Sequence, residues 1–186
     1  MPSSTALLVI DLQRYFVHPE GKAFLVDAPA IIPHIGNLIK AFRKADAPII
    51  FTRQAHKKNS DTGQMGRWWH GKVIWEGTED SQLTTELPRT DTDIVITKTH
   101  YSAFEETTLD DELKKESIET LVICGVMTNL CVETTARHAF MKGYQPVVVE
   151  DACATKNSEY HRASILNLAY GFAHIETTEK LLKKLS

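Results

Sequence analysis

The chain has 186 residues, of which 42% are hydrophobic and 24% charged, and its formal net charge is −3. This composition is ordinary for one globular domain, and its mild acidity does not favour nucleic acid or an anionic membrane as a partner. No apolar run approaches the roughly 18 residues of a membrane span. Three widely spaced cysteines argue against a disulfide framework and for a reducing, cytoplasmic setting. We therefore expect the partner to be a small-molecule substrate.

Short apolar runs alternate with stretches of helical periodicity along most of the chain. The apolar runs predict six strands, at residues 6–11, 48–52, 93–97, 120–124, 146–150 and 174–177. The periodic stretches predict helices at residues 29–44, 109–116, 129–142, 159–170 and 178–185. Strands that are apolar on both faces and alternate with helices are typical of a covered parallel sheet. The sequence predicts an α/β fold with a three-layer α/β/α architecture, in which the middle layer is a mostly parallel, Rossmann-like sheet of about six strands.

One region interrupts this alternation. We expect a single domain over residues 1–186, with an irregular insertion at about 53–87 that holds Trp68, Trp69 and Trp75. A long irregular segment in a compact domain is more often a functional loop than disorder, and tryptophans are rare in disordered chains. The alternative is that these tryptophans only pack the insertion onto the body of the domain.

Three residues that can carry chemistry follow predicted strands. Asp11 ends the first strand, Lys98 follows the third, and Cys131 begins the helix after the fourth. Ligands of open parallel sheets bind outside the carboxyl ends of the strands, so these groups are expected at one edge. The start of a helix and a neighbouring lysine both favour a thiolate. Taken singly, the three could be a strand-end turn, a surface lysine and a buried apolar cysteine.

The segments around these residues resemble the isochorismatase-like cysteine hydrolases, which include nicotinamidases, N-carbamoylsarcosine amidases and ureidoacrylate hydrolases. They read Leu-Leu-Val-Ile-Asp-Leu-Gln at 7–13, Ile-Thr-Lys-Thr-His-Tyr-Ser-Ala-Phe at 96–104 with Thr-Leu at 108–109, and Cys-Gly-Val-Met-Thr-Asn-Leu-Cys-Val at 124–132. The resemblance implies that Asp11, Lys98 and Cys131 form the catalytic triad of one active site. It also implies a homo-oligomer, either a dimer or a tetramer.

The resemblance implies two further features. A non-proline cis peptide near residues 126 and 127 would turn the backbone N–H groups of Met127 and Cys131 into an oxyanion hole. Nicotinamidases of the family carry an Asp-x-His metal motif after the second strand, where this chain has Gln54 and His56. A neutral amide is a poor ligand for zinc or iron. We therefore expect no metal and no other cofactor, and the difference argues against nicotinamidase activity.

The reaction expected from the resemblance is cysteine-dependent hydrolysis of a small amide or ureido compound through a thioester. One alternative is vinyl ether hydrolysis of isochorismate, with Asp11 as the acid. Another is a non-catalytic binding protein on the same fold. Arg53 and Arg67 are candidates for holding a substrate carboxylate, or else surface residues. The candidate pocket residues are Phe16, Gln54, His56, Trp68, Trp69, Tyr101 and Thr128.

Overall fold

The computed structural model of the protein describes residues 4–185 and contains one six-stranded sheet. All five strand pairs are parallel, and the strand order is β3-β2-β1-β4-β5-β6. The strands are β1 Thr5–Ile10, β2 Ile49–Gln54, β3 Ile94–Lys98, β4 Thr120–Val126, β5 Gln145–Ala154 and β6 His174–Glu176. The predicted α/β fold and its six-stranded sheet are confirmed.

Helices cover both faces of the sheet. Packing of α2 against α7 builds one layer, and packing of α5 against α6 builds the other. The helices are α1 Arg14–Val17, α2 Ala28–Lys44, α3 Gly63–Trp68, α4 Leu109–Lys115, α5 Glu133–Met141, α6 Ser158–Gly171 and α7 Thr178–Leu185. Within residues 4–185, no helix combines the length and the apolar character that crossing a membrane requires.

The core follows from the apolar pattern of the central elements. Every residue of β1 is buried, as expected for a strand with neighbours on both sides and helices on both faces. Helix α2 buries one continuous stripe at helical spacing, consisting of Ile31, Ile32, Ile35, Leu38, Ile39 and Phe42. These rows of side chains fix the sheet, and so the sheet edge that carries the site.

The structure differs from the predicted elements at two places that matter for the site. The insertion is not wholly irregular, because it contains α3 and a 3-10 turn at Glu79–Ser81. The predicted helix 129–142 begins instead with a π-helical turn at Thr128–Val132, and α5 starts only at Glu133. Both segments are too short or too irregular for a periodicity search, which needs several turns to register a helix.

The direction in which the chain adds strands to the sheet reverses at the centre of the sheet. Strand β1 pairs with β2 on one side and with β4 on the other, and the chain leaves β1 towards β2 and β4 towards β5. A crevice opens where the winding direction reverses, and this crevice is the usual ligand site of such sheets. Asp11 follows β1 at this crevice, and the π-helical turn follows β4.

Candidate active site

Asp11 is held at the end of β1 by the neighbouring strand. Its backbone has a φ of 52°, an uncommon conformation that an aspartate tolerates better than most residues. The hydroxyl of Thr52 on β2 donates a hydrogen bond of 2.7 Å to Oδ1 of Asp11. The Asp11 side chain is fully buried. A buried carboxylate needs compensating partners, and Thr52 supplies one of them.

The close approach of β1 and β4 depends on Gly125. This glycine pairs with Ile10 in the sheet register and has a φ of 118°, which side chains rarely adopt. A Cβ atom added there would lie 2.2 Å from the backbone oxygen of Ile10. Only glycine fits here. Because it has no side chain, the strands that precede Asp11 and Cys131 can end side by side.

Lys98 connects the other two groups. It is the last residue of β3, two strands away from β1, and its side chain reaches Asp11 at the end of β1. Its Nζ lies 2.7 Å from Oδ2 of Asp11 and 3.3 Å from Sγ of Cys131. A third contact, of 3.0 Å, joins Nζ to the carbonyl oxygen of His100. The structure therefore brings the three predicted residues together.

The charge of Lys98 is stabilised by these neighbours. Burial alone would lower its pKa, but the carboxylate of Asp11, and after it the hydrogen-bonded Cys131, raises the pKa above the usual 10.5. Lys98 is therefore an ammonium ion at neutral pH, in a direct ion pair with Asp11. Its N–H groups are hydrogen-bond donors to both an oxygen and a sulfur.

Cys131 lies in the π-helical turn, with 3% of its surface exposed. The peptide bond between Val126 and Met127 at the start of this turn is cis, as the family resemblance implies. Burial raises the pKa of the Cys131 thiol to about 12, although the neighbouring Lys98 opposes that shift. Lys98 lowers this pKa, as expected from the sequence, but burial has the larger effect, so the net shift favours the thiol over the thiolate. The sulfur is a thiol at neutral pH, and its proton needs an acceptor.

A cavity of about 470 Å³ opens above Cys131, a size suited to a small organic molecule. Of the predicted pocket residues, Phe16, Gln54, Trp69 and Tyr101 line it, together with Met127. His56 and Trp68 instead line an adjoining cavity of about 910 Å³. Thr128 lines neither cavity, and it is buried and hydrogen-bonded to His161.

The insertion forms one wall of the cavity that holds Cys131. Met65, Trp69, Val73 and Ile74 all line it, and the indole Nε1 of Trp69 donates a hydrogen bond of 2.8 Å to the hydroxyl of Tyr101. The three tryptophans therefore differ in their surroundings. Trp69 contributes to the cavity wall, Trp68 is 66% exposed, and Trp75 packs edge-on to His56.

Gln54 and His56 lie in different surroundings. The side-chain Oε1 of Gln54 lies 3.8 Å from Sγ of Cys131, so its amide faces the thiol. His56 is buried beside Trp75, and its surroundings lower its pKa, mainly through burial, so its imidazole is neutral. Among residues 4–185, no three His, Cys, Asp or Glu side chains converge as ligands for a metal ion would. A donor set built on a neutral amide and one histidine does not suit zinc or iron.

Gln13 supports the site, although the sequence pattern predicts no role for its side chain. Its fully buried side chain accepts a hydrogen bond from the backbone N–H of Gln54 and donates to the carbonyl oxygens of Gln54 and Ser81. These bonds fix the end of β2, where Gln54 faces the thiol. The signal available in the sequence was its position two residues after Asp11, beyond a buried strand.

The comparisons with known proteins agree with this geometry. The family model described as the isochorismatase domain matches residues 5–180. The chain belongs to the isochorismatase family. Nicotinamidase 3 of Arabidopsis thaliana is 41% identical over 182 residues, which cover 97% of this chain and 88% of that relative. The ureidoacrylate amidohydrolase of Acinetobacter baylyi is 32% identical over 204 residues, which cover 97% and 83%.

A solved structure of the same fold extends over the whole chain. The cysteine hydrolase from Pseudomonas syringae pv. phaseolicola superposes with a TM-score of 0.95 at 27% identity, covering all of this chain and 93% of that one. The predicted resemblance to the isochorismatase family is thus confirmed, and this chain is similar both to a nicotinamidase and to an amidohydrolase of a ureido compound.

Proposed function

We propose that this member of the isochorismatase family hydrolyses a small amide or ureido compound, with Cys131 as the nucleophile and a thioester as the intermediate. One observation carries the proposal: the Lys98 ammonium group contacts both the Asp11 carboxylate, at 2.7 Å, and the Cys131 sulfur, at 3.3 Å. A packed core has no need of a buried cation between a carboxylate and a thiol, because desolvating such ions costs several kcal/mol each.

The first half of the reaction forms the thioester. Because burial keeps Cys131 protonated, Asp11 acts as the base and takes the proton as the sulfur attacks the carbonyl carbon. Lys98 stabilises the negative charge as it passes from the carboxylate to the sulfur. The C–N bond then breaks, and Asp11 returns the proton to the leaving nitrogen, so that an amine or ammonia departs.

The second half releases the acid. A water molecule gives its proton to Asp11 and attacks the thioester carbon, and the thiolate leaves and regains that proton. In both halves the carbonyl oxygen becomes negative and needs donors that are already in place. The backbone N–H groups of Met127 and Cys131, on the turn that follows the cis peptide, are the proposed donors.

A substrate panel with one variant pair tests the proposal. Nicotinamide, ureidoacrylate, other small amides and isochorismate are incubated with the wild-type protein, with Cys131→Ala and with Cys153→Ala. Cys153 is a second buried cysteine that does not line the cavity, so its variant controls for loss of a core thiol. We expect Cys131→Ala to lose at least about 1,000-fold in kcat/KM on an amide or ureido compound while keeping its circular dichroism spectrum.

Two results would contradict the proposal. Undiminished amide hydrolysis by Cys131→Ala would exclude the sulfur as the nucleophile. Turnover of isochorismate alone, equally fast in wild type and Cys131→Ala but absent in Asp11→Asn, would favour acid catalysis at a vinyl ether. Nicotinamide is placed first in the panel because the relative from Arabidopsis thaliana is a nicotinamidase.

A further inference from the structure

Three lysines line the cavity that holds Cys131, and they come from three separate parts of the chain. Lys22 precedes α2, Lys72 belongs to the insertion, and Lys156 precedes α6. Of the described residues that line this cavity, none is an aspartate or a glutamate. The whole chain has a net charge of −3, so the charged side chains that line the cavity have the sign opposite to that of the protein.

Two of these charges are not neutralised by the protein. Lys22 pairs with Asp80 at 2.9 Å. Lys72 and Lys156 are exposed, and no carboxylate within residues 4–185 forms an ion pair with either of them. Arg53 and Arg67, the candidates from the sequence, contact Thr97 and Gln64 and do not line the cavity. Lys72 and Lys156 are therefore the cations lining this cavity that form no ion pair with a carboxylate of residues 4–185.

The remaining walls increase the effect of these charges. Most of the other residues that line the cavity have apolar or aromatic side chains, among them Phe16, Phe24, Leu25, Ile74 and Leu130. Low-dielectric walls focus the field of charges at the mouth of a cleft and attract ligands of opposite sign. A ligand with a carbonyl group at Cys131 and an anionic group at the other end would use both the sulfur and the lysines.

We propose that the cavity selects substrates that carry a carboxylate in addition to the amide or ureido group, and that Lys72 and Lys156 are the residues that determine this specificity. The part of the proposal that concerns the reacting group rests on the proposed function. The preference for an anion rests on the cavity alone, so the two can be tested separately.

Alkylation of Cys131 measures this preference without a known substrate. Iodoacetate and iodoacetamide react with a thiol by the same displacement of iodide, and they differ by the charge of a carboxylate. The rate of modification of the Cys131 peptide is followed by mass spectrometry with each reagent, and the ratio of the two rates cancels any general change in thiol reactivity. The proteins compared are wild type, the double variant Lys72→Gln/Lys156→Gln and Lys115→Gln. Lys115 ends α4 and does not line the cavity.

The expected result is a ratio of iodoacetate to iodoacetamide rates that is about threefold lower in the double variant than in wild type at low salt. Lys115→Gln should keep the wild-type ratio. The difference should vanish at about 1 M salt, where the screening length is about 3 Å, compared with about 30 Å at 0.01 M. Equal ratios in the double variant and Lys115→Gln at low salt would overturn the proposal and leave the proposed function standing. The expected lower ratio in the double variant, found in a protein that hydrolyses no amide or ureido compound, would contradict the proposed function and leave the preference for an anion standing.

Discussion

Removing only one partner of the ion pair between Lys98 and Asp11 should destabilise the protein far more than removing both. Both side chains are fully buried, and Nζ and Oδ2 are 2.7 Å apart. At an effective dielectric constant of about 20 this separation gives an attraction of about 6 kcal/mol. Burying each ion costs several kcal/mol, so the pair contributes little net stability, whereas one ion left alone is strongly unfavourable.

This reasoning predicts non-additive variants. Lys98→Met leaves the Asp11 carboxylate without its cation, and we expect a loss of about 3–5 kcal/mol in the free energy of unfolding. The double variant Lys98→Met/Asp11→Asn removes both charges and should lose far less than Lys98→Met alone. The assay is urea denaturation followed by circular dichroism, and the double-mutant cycle gives the coupling energy directly.

A surface pair provides the matched control. Glu179 and Lys183 also form an ion pair, but both side chains are more than 70% exposed, at 76% and 73%. The equivalent cycle on that pair should give a coupling of about 0.5 kcal/mol or less. A Lys98→Met variant that loses less than about 1 kcal/mol, or a double variant that loses as much as the two single variants combined, would refute the reasoning.

Three further predictions concern single residues. Asp11→Asn removes a charge that raises the pKa of Cys131, so the pH midpoint of Cys131 alkylation should fall although amide turnover is lost, and an unchanged or higher midpoint would contradict this account. Burial raises the pKa of Cys153 from 9.0 to about 12, so the folded state retains a proton that the unfolded state releases. Between pH 9 and about 12, this thiol should therefore lower the free energy of unfolding by up to about 1.4 kcal/mol per pH unit, as measured by urea denaturation. The slope should be shallower in Cys153→Ala, and an equal slope in that variant would contradict the account. Gly125→Ala places Cβ 2.2 Å from the oxygen of Ile10 and should cost more than about 3 kcal/mol by urea denaturation, whereas a cost below about 1 kcal/mol would mean that the strands separate freely.

The sheet and the meeting of Asp11, Lys98 and Cys131 could be predicted because both depend on regular patterns. Buried parallel strands are continuous apolar runs, and their carboxyl ends share one edge. A polar residue directly after such a run is therefore predicted to lie at that edge of the sheet. The strand predicted at residues 120–124 stops before Gly125, so the role of this glycine in the close approach of β1 and β4 is visible only in the structure.

The protonation of Cys131 could not be predicted in this way. The sequence indicates which charges stand near the sulfur, but the depth of burial depends on the whole fold and here outweighs the effect of Lys98. The cavity wall shows the same limit. Lys72 and Lys156 lie in or beside irregular segments without periodicity, so their convergence is visible only once the insertion is folded.

The central claim is that hydrolysis passes through an acyl group on Cys131, and trapping with hydroxylamine tests it most directly. A thioester transfers its acyl or carbamoyl group to hydroxylamine in competition with water. During turnover of an amide or ureido substrate by the wild-type protein, we predict that rising hydroxylamine replaces the acid product by the hydroxamate or hydroxyurea, and that Cys131→Ala forms neither. Continued formation of the acid as the sole product at saturating hydroxylamine would contradict the account.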